Sequence, residues 1–245
     1  DNLVKKIQEN GGKIISGQTI SEINIKSGKI NFIKINNKKI KTDYIISTIY
    51  LEDLIKVIND KLKIESVVNN SRNLFYQKIS IIYFILNKKR ALKDCWIFFP
   101  EKKFLFHRIS EQKAFSPYTS PENKTAIMVE TTKEPTNENI KKIINQLENI
   151  GALKEKDIDE YFVKSSDRVY PIYKKGFFDN LNPVIRYVES IDNLYSIGRP
   201  GLFNYNNMDQ CWDMAKKTFE HIQQKKSKQE WKKTKKYFDK YRIVD

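Results

Sequence analysis

Cysteine is nearly missing from this chain: Cys95 and Cys211 are the two present among 245 residues. They lie far apart and show no CxxC spacing, so neither a disulfide framework nor a thiolate zinc site is indicated, and two free thiols in a reducing compartment are expected. Long apolar runs are missing too. The longest, residues 79–86, has the length of a strand, far below the roughly 18 residues of a membrane-spanning helix. The chain opens Asp1-Asn2-Leu3 and runs directly into Lys5-Lys6, without the apolar core of a secretory leader. A cytoplasmic protein with no transmembrane segment is the expectation. Glycine is scarce, and the eight glycines, at 11, 12, 17, 28, 151, 176, 198 and 201, nowhere take the GxGxxG spacing that cradles a dinucleotide pyrophosphate. HExxH, P-loop and GxSxG motifs are absent as well. That removes the common metalloprotease, NTPase and serine-hydrolase readings, and no metal site is expected.

What the chain does have is apolar residues, 40% of the total, enough for one large domain or two lobes of ordinary size. It also has lysine. A formal net charge of +15 invites a nucleic-acid or anionic-membrane reading. Yet the lysines run the whole length of the chain, the pattern of a solvated basic surface, and no specific nucleic-acid partner is expected. One block is denser: residues 225–242, KKSKQEWKKTKKYFDKYR, set Trp231, Tyr237, Phe238 and Tyr241 among the charges. The block reads as an amphipathic helix packed on the domain, as a segment making peripheral membrane contact, or as a nucleic-acid tail, and the sequence leaves these open.

Leu3, Val4 and Ile7 fit the end of an amphipathic helix stopped by Gly11-Gly12, because glycine readily takes the left-handed conformation of a helix C-cap. KIISG, TISEINIKSG, KINFIKIN and KKIKTDYIISTI read as four strands, three of them a meander of hairpins. Residues 44–49 lose the alternation, as a strand buried on both faces would. Leu51, Leu54, Ile55 and Ile58 recur at helical spacing. Residues 73–86 form a long strand, and CWIFFP, KFLFHRIS and TAIMVETT add three more toward a second, aromatic-rich sheet. Residues 137–150 make a helix with Ile140, Ile143, Ile144 and Leu147 on one face, and DEYFVKSSDRVYPIY is a strand interrupted near Pro171. A short strand over 193–197 and a helix over 208–223 close the fold.

Between those last two elements lies GRPGLFNYNN, residues 198–207. A strand ending in Gly198 and a helix starting near Asn207 or Met208 place free backbone amides and a positive dipole end beside a glycine-lined loop. Phosphates and flavin rings are held this way; a plain capped helix after a tight turn looks the same. Asn207 or Asp209 suits the cap or first turn, and the Arg199 fork suits a bidentate contact with phosphate. In unit FLFHRISEQKAFSP, Arg108 is placed to meet a substrate anion or to pair with Glu111 or Glu130, and His107 beside it is an acid–base candidate or a structural strand residue.

The string IGRPGLFNYNNMD followed by an amphipathic helix resembles the C-terminal flavin-contacting motif of the FAD-dependent amine oxidase and protoporphyrinogen oxidase superfamily, especially its UDP-galactopyranose mutase-like branch. Other blocks agree in order. ENGGKIISGQTISEI resembles the helix and strands that pass the adenine side of FAD, and KTDYIISTI the strand that returns to the dinucleotide-binding domain. CWIFFPEKKFLFHRISEQKAFSPYTSPENKTAIMVET is similar to the mutase-like substrate domain, and RVYPIYKKGFFDNL to the Tyr-Pro segment before the last flavin motif. The resemblance reaches to about Gln223.

The resemblance implies an α+β fold: part of an α/β FAD-binding domain over 1–60, a mixed-sheet substrate domain over 61–180, the flavin-contacting strand, turn and helix over 181–224, and a basic helical tail over 225–245. It also implies a fragment that lacks its GxGxxG-containing N-terminal Rossmann half. That half would be its partner, and the fragment alone would be inactive. The cofactor implied is FAD, and the reaction is flavin redox or flavin-assisted chemistry on a small-molecule substrate, an amine or a nucleotide sugar. Carried over by resemblance, Gly198 and Arg199 approach the flavin and a substrate diphosphate, and Tyr205 bonds a substrate phosphate. Asn207, Met208 and Asp209 lie along the isoalloxazine and ribityl part, Ile20 contacts adenine through its backbone, and Tyr170 and Tyr173 line the flavin pocket or pack in the core. Asn207 stands where bacterial mutases usually have aspartate. Set against this enzyme is a binding module with no cofactor, a basic domain for nucleic acid or anionic membrane.

Overall fold

The computed structural model describes residues 2–60 and 65–241. Arg242, at the end of the basic block, and residue 61, where a second domain was expected to begin, lie outside the described residues. The chain divides into two units, Asp1–Phe75 with Tyr173–Asp245, and Tyr76–Ile172.

The first unit opens with helix α1 (Asn2–Glu9), which has no buried residue. Strands β1 (Ile20–Lys26), β2 (Lys29–Ile35) and β3 (Lys38–Ile40) form the meander. Its two hairpin loops, Ser27-Gly28 and Asn36-Asn37, hold all four residues at positive φ, between 46° and 74°, as two-residue loops between right-twisted strands require. Residues 13–17 were expected as the first strand, and the structure corrects this: they join no ladder. Ile14 and Ile15 are 49% and 60% exposed, so no packed face rewards their extension. Strand β4 (Ile45–Ser47), helix α2 (Leu51–Val57), strand β5 (Ile58–Asn59) and helix α3 (Glu65–Arg72) follow. β5 runs parallel to β1, and Leu51, Leu54 and Ile55 are fully buried beneath.

The second unit holds β6 (Tyr76–Leu86), β7 (Trp96–Phe98), β8 (Arg108–Glu111), α4 (Gln112–Phe115), β9 (Thr125–Thr131), α5 (Asn137–Asn149) and β10 (Ile158–Pro171). Its five strands form an antiparallel sheet in the order β10-β6-β9-β8-β7. The sheet's inward residues Ile82, Phe84, Ile109, Ile127 and Val129 pack with Ile140, Ile143 and Leu147 of α5 in one apolar cluster. KFLFHRIS is strand only over its last part, because Phe104 and Phe106 turn in to meet Phe99, with ring centroids 4.9 Å from it in each case. Glu111, fully buried, is paired by Arg90 at 3.2 Å and accepts from the amides of Ala91 and Leu92 and from Thr125 Oγ1.

The chain returns to the first unit through α6 (Phe177–Glu189), β11 (Leu194–Ser196), α7 (Gly198–Leu202), α8 (Met208–Gln223) and α9 (Lys228–Phe238). β11 lies parallel to β4 in a two-stranded sheet. Ile46 and Ile49 remain 45% and 43% exposed, so the double-sided burial expected of residues 44–49 is not present among the described residues. The basic tail forms α9, capped by Ser227, and buries Trp231 and Phe238. Helices and largely antiparallel sheets segregated in this way make an α+β fold.

Candidate functional site

The Ile197 amide donates to Ser47 O at 2.9 Å, which extends the β4–β11 pairing to the edge of the turn. Gly198 follows at φ +78°, a conformation a side chain would strain. It is buried, yet a Cβ built on it meets no atom within 4 Å. The backbone is enclosed while the space before its Cα stays empty. Gly201 is glycine for the opposite reason: a Cβ there would lie 2.8 Å from Ser196 Oγ and 3.1 Å from Ser47 O. Ser196 Oγ donates to Gly201 O at 2.6 Å, which holds α7 against the strand ends. α7 then stops at Phe203, buried in the left-handed region at φ 51°.

The loop beyond is held by side chains. Arg199 donates through Nε and Nη2 to Asn206 O at 3.1 and 2.6 Å, and its guanidinium lies 4.9 Å from the Tyr205 ring centroid. The Tyr205 amide donates to Tyr173 Oη at 2.7 Å. Burial pushes the Tyr173 hydroxyl pKa up, against the Tyr205 hydrogen bond and the Arg199 charge, which pull it down. Asn206 is buried, near Met214 Sδ and Cys211 Sγ. The Asn207 amide donates to Gln210 Oε1 at 3.0 Å, so the start of α8 carries a capping box. Met208 is 89% exposed and Asp209 exposed; both stand in the first helical turn, whose amides have no intrahelical acceptor.

Of the residues singled out in the sequence, Gly198, Arg199, Tyr205, Asn207, Met208 and Asp209 therefore share one braced turn. Ile20 opens β1 in the same unit, paired with Ile35. Arg108 belongs to the second unit, on β8. It donates to Glu130 Oε1 through Nε at 2.9 Å and through Nη2, while His107 Nε2 lies 3.4 Å from Glu130 Oε2. Burial raises the Glu130 pKa, but the hydrogen bonds from His107 and Arg108 outweigh it and leave the carboxyl below its usual range. Beside this trio is an open cavity of about 240 Å³ that also takes in Lys164, Ser165 and Tyr170. Sequence reading missed Asn206 and Met214, which hold the turn from inside; the repeated asparagines at 206 and 207 were the available signal.

The turn fits a flavin in two respects. The empty space at Gly198 suits close approach of a flat group, and Arg199 supplies positive charge beside helix-start amides. Among the described residues there is no group of three or more metal-ligating side chains, and no helix is long and apolar enough to cross a membrane.

Solved structures share this fold. A reduced UDP-galactopyranose mutase matches with a TM-score of 0.73 and 20% identity over 89% of this chain and 48% of its own. A protein from Exiguobacterium sp. 255-15 assigned as a protoporphyrinogen oxidase matches at 0.69, with 14% identity over 92% and 51%. A fatty acid isomerase from P. acnes that produces CLA matches at 0.55, with 14% identity over 83% and 47%. The chain thus spans about half the length of the structures it matches. At these identities the likeness establishes the fold, which is the one anticipated from the order of the sequence blocks. No family model matches the sequence.

Proposed function

We propose that this chain is the C-terminal part of an FAD-dependent oxidoreductase acting on a small molecule, with residues 198–209 as its flavin-facing turn. The observation that carries the reading is Gly198, buried at φ +78° with empty space where a side chain would stand, directly before Arg199 and one short helix from the start of α8. FAD, when bound, supplies either hydride acceptance from an amine-like substrate or, reduced, a nucleophile for non-redox isomerisation of a nucleotide sugar. The protein's share is positioning. Gly198 admits the ring edge, and Arg199, fixed by Asn206 O, sets a permanent positive charge where negative charge develops. Tyr205, 39% exposed, offers its hydroxyl to a substrate phosphate, and Asn207, Met208 and Asp209 flank the cofactor. Arg108, in the second unit, would contact an anion only by exchanging Glu130 for it.

The reading includes a complementary half of the fold, which would bring the phosphate-binding glycine turn. Two observations support such a partner. A two-stranded parallel sheet needs further strands and covering helices to be stable, and among the described residues β4–β11 pairs with no third strand and leaves Ile46 45% exposed. Helix α8 also leaves Met208, Trp212 and Phe219 exposed at 89%, 67% and 60% along one stripe. Alone, the chain would hold FAD weakly and have no activity.

The test is an FAD titration, followed by flavin fluorescence quenching, of this chain and of a chain extended on its N-terminal side to carry the complementary half. The extended chain is expected to bind, and Arg199→Ala or Asp209→Ala to weaken binding about tenfold, the loss of one charge-assisted contact. No flavin binding by either chain overturns the reading.

A further inference from the structure

Helix α9 is not a loose tail. It closes one side of a cavity of about 440 Å³ whose lining includes Tyr173, Phe177, Phe203 and Asn204 and, from α9 and its C-cap, Lys235 and Asp239. Its inner face is anchored by Trp231, 1% exposed, which meets Tyr195 of β11 edge-on at 5.0 Å and 90°. Against these rings packs His221 of α8, 2% exposed, with centroids 5.6 Å from Tyr195 and 5.3 Å from Trp231. Among the described residues neither ring nitrogen of His221 has a partner in good hydrogen-bond geometry, and the Lys226 backbone gives it only weak support. A neutral imidazole carries one donor and one acceptor, so this ring is held by packing against its own polarity.

The groups that face it do not welcome a second proton. Lys226, in the link to α9, and Lys228, on α9, oppose a positive charge; Lys228 Nζ lies 4.1 Å from the Tyr195 centroid and donates to Leu194 O. Glu230, also on α9, would favour it, but its carboxylate is taken by the Ser227 amide and hydroxyl, each at 2.9 Å. From β11 the facing titratable group is Tyr195, whose hydroxyl burial keeps neutral by pushing its pKa up. The link between the helices turns at Lys225, which is left-handed at φ 50°, and the Lys226 amide closes back on His221 O at 3.2 Å.

We propose that α9 is a pH-released wall of the Tyr173–Phe203 cavity: when His221 takes up a proton, its ring draws in water, the Trp231 contact is lost, and α9 detaches about Lys225. Burial first, and then the lysine charges, hold the imidazole's pKa below its ordinary value. The sign follows from that depression. The detached state binds the proton more readily, so attachment is complete above the ordinary histidine value of about 6.5 and weakens as pH falls toward the lower, attached-state value. The ion pair of Lys235 with Glu189 at 2.7 Å and the hydrogen bond from Tyr241 Oη to Asp213 at 2.6 Å resist release, so removing either should shift it to higher pH.

The test uses the full chain with Trp96→Phe and Trp212→Phe, which leaves Trp231 as its single tryptophan. Acrylamide quenching of Trp231 is followed from pH 8 to pH 5, with far-UV circular dichroism alongside. Quenching is expected to rise severalfold below about pH 6.5 while the dichroism holds, and to stay flat in His221→Phe. His221→Gln, and NMR titration of the His221 ring in the unsubstituted chain, serve if the phenylalanine variant does not fold. The proposal is overturned if quenching stays flat, whether or not the ring titrates. An equal rise in the His221 variants, or loss of helical signal together with the rise, overturns it as well. Flavin plays no part in the readout, so the result stands apart from the FAD titration.

Discussion

At the scale of single residues, the two glycines of the turn make opposite predictions. Gly201→Ala places a methyl against Ser47 O, an atom already fixed by the Ile197 amide, so the backbone must shift and about 1–3 kcal/mol of stability should be lost, read by urea denaturation. Gly198→Ala meets no atom but must hold φ +78°, a strain of about 1–2 kcal/mol. Its larger effect should be on flavin, because the new methyl stands in the empty space; the extended chain should lose FAD binding while Gly201→Ala, where folded, keeps it. In the second unit, Glu130→Gln leaves the Arg108 guanidinium without its carboxylate and should cost about 1–3 kcal/mol at pH 7. The Glu130 pKa is depressed in the fold, so its contribution is present above the unfolded value of about 4.3 and fades as pH falls through the folded one. Urea midpoints of the variant and the parent should therefore converge toward pH 3.

At the scale of elements, the sequence was most legible where local chemistry and tertiary packing agree. The α8 bounds were read directly from its cap and periodicity, and the β1–β3 hairpins from Ser27-Gly28 and Asn36-Asn37. Helix α6 went unread: Leu181, Val184, Ile185 and Val188 carry the period, but Pro183 interrupts it, and proline inside a pattern argues for a helix end. The strand expected at 13–17 failed because alternation shows capacity for a sheet, and a partner strand is what makes one. At the turn, glycine and arginine were visible from their chemistry, whereas the roles of Asn206 and Met214 depend on contacts that no spacing announces. The exposed stripe on α8 lies opposite its buried Gln210, Met214, Thr218 and His221, and a helix already packed through one face seldom leaves large apolar side chains along the other. Trp212→Gln with Phe219→Gln should therefore leave this chain's own stability within about 0.5 kcal/mol per site yet abolish its association with the complementary half, measured by co-purification of the two pieces.

At the scale of the molecule, the second unit is an insertion with its own core. Every member of its apolar cluster, from Ile82 to Leu153, comes from Tyr76–Ile172, and the strands that begin and end it are paired, Tyr76 facing Pro171. Adjacent ends are what allow one domain to interrupt another without strain in the host. The first unit, by contrast, is built from two separated chain segments: the β4–β11 ladder joins residues far apart in sequence, and the Asn193 side chain accepts from the Ile30 amide at 2.7 Å. The segment Tyr76–Ile172, produced alone, should unfold in a single cooperative urea transition with native-like circular dichroism, since its apolar cluster is built from its own residues. Joining Phe75 to Tyr173 through a few glycines should likewise leave the first unit folded, because the deletion removes a loop whose closure entropy varies only slowly with length. A non-cooperative transition for the isolated segment would mean that its sheet draws support from outside its own cluster, and the two units would then have to be treated as one folding unit.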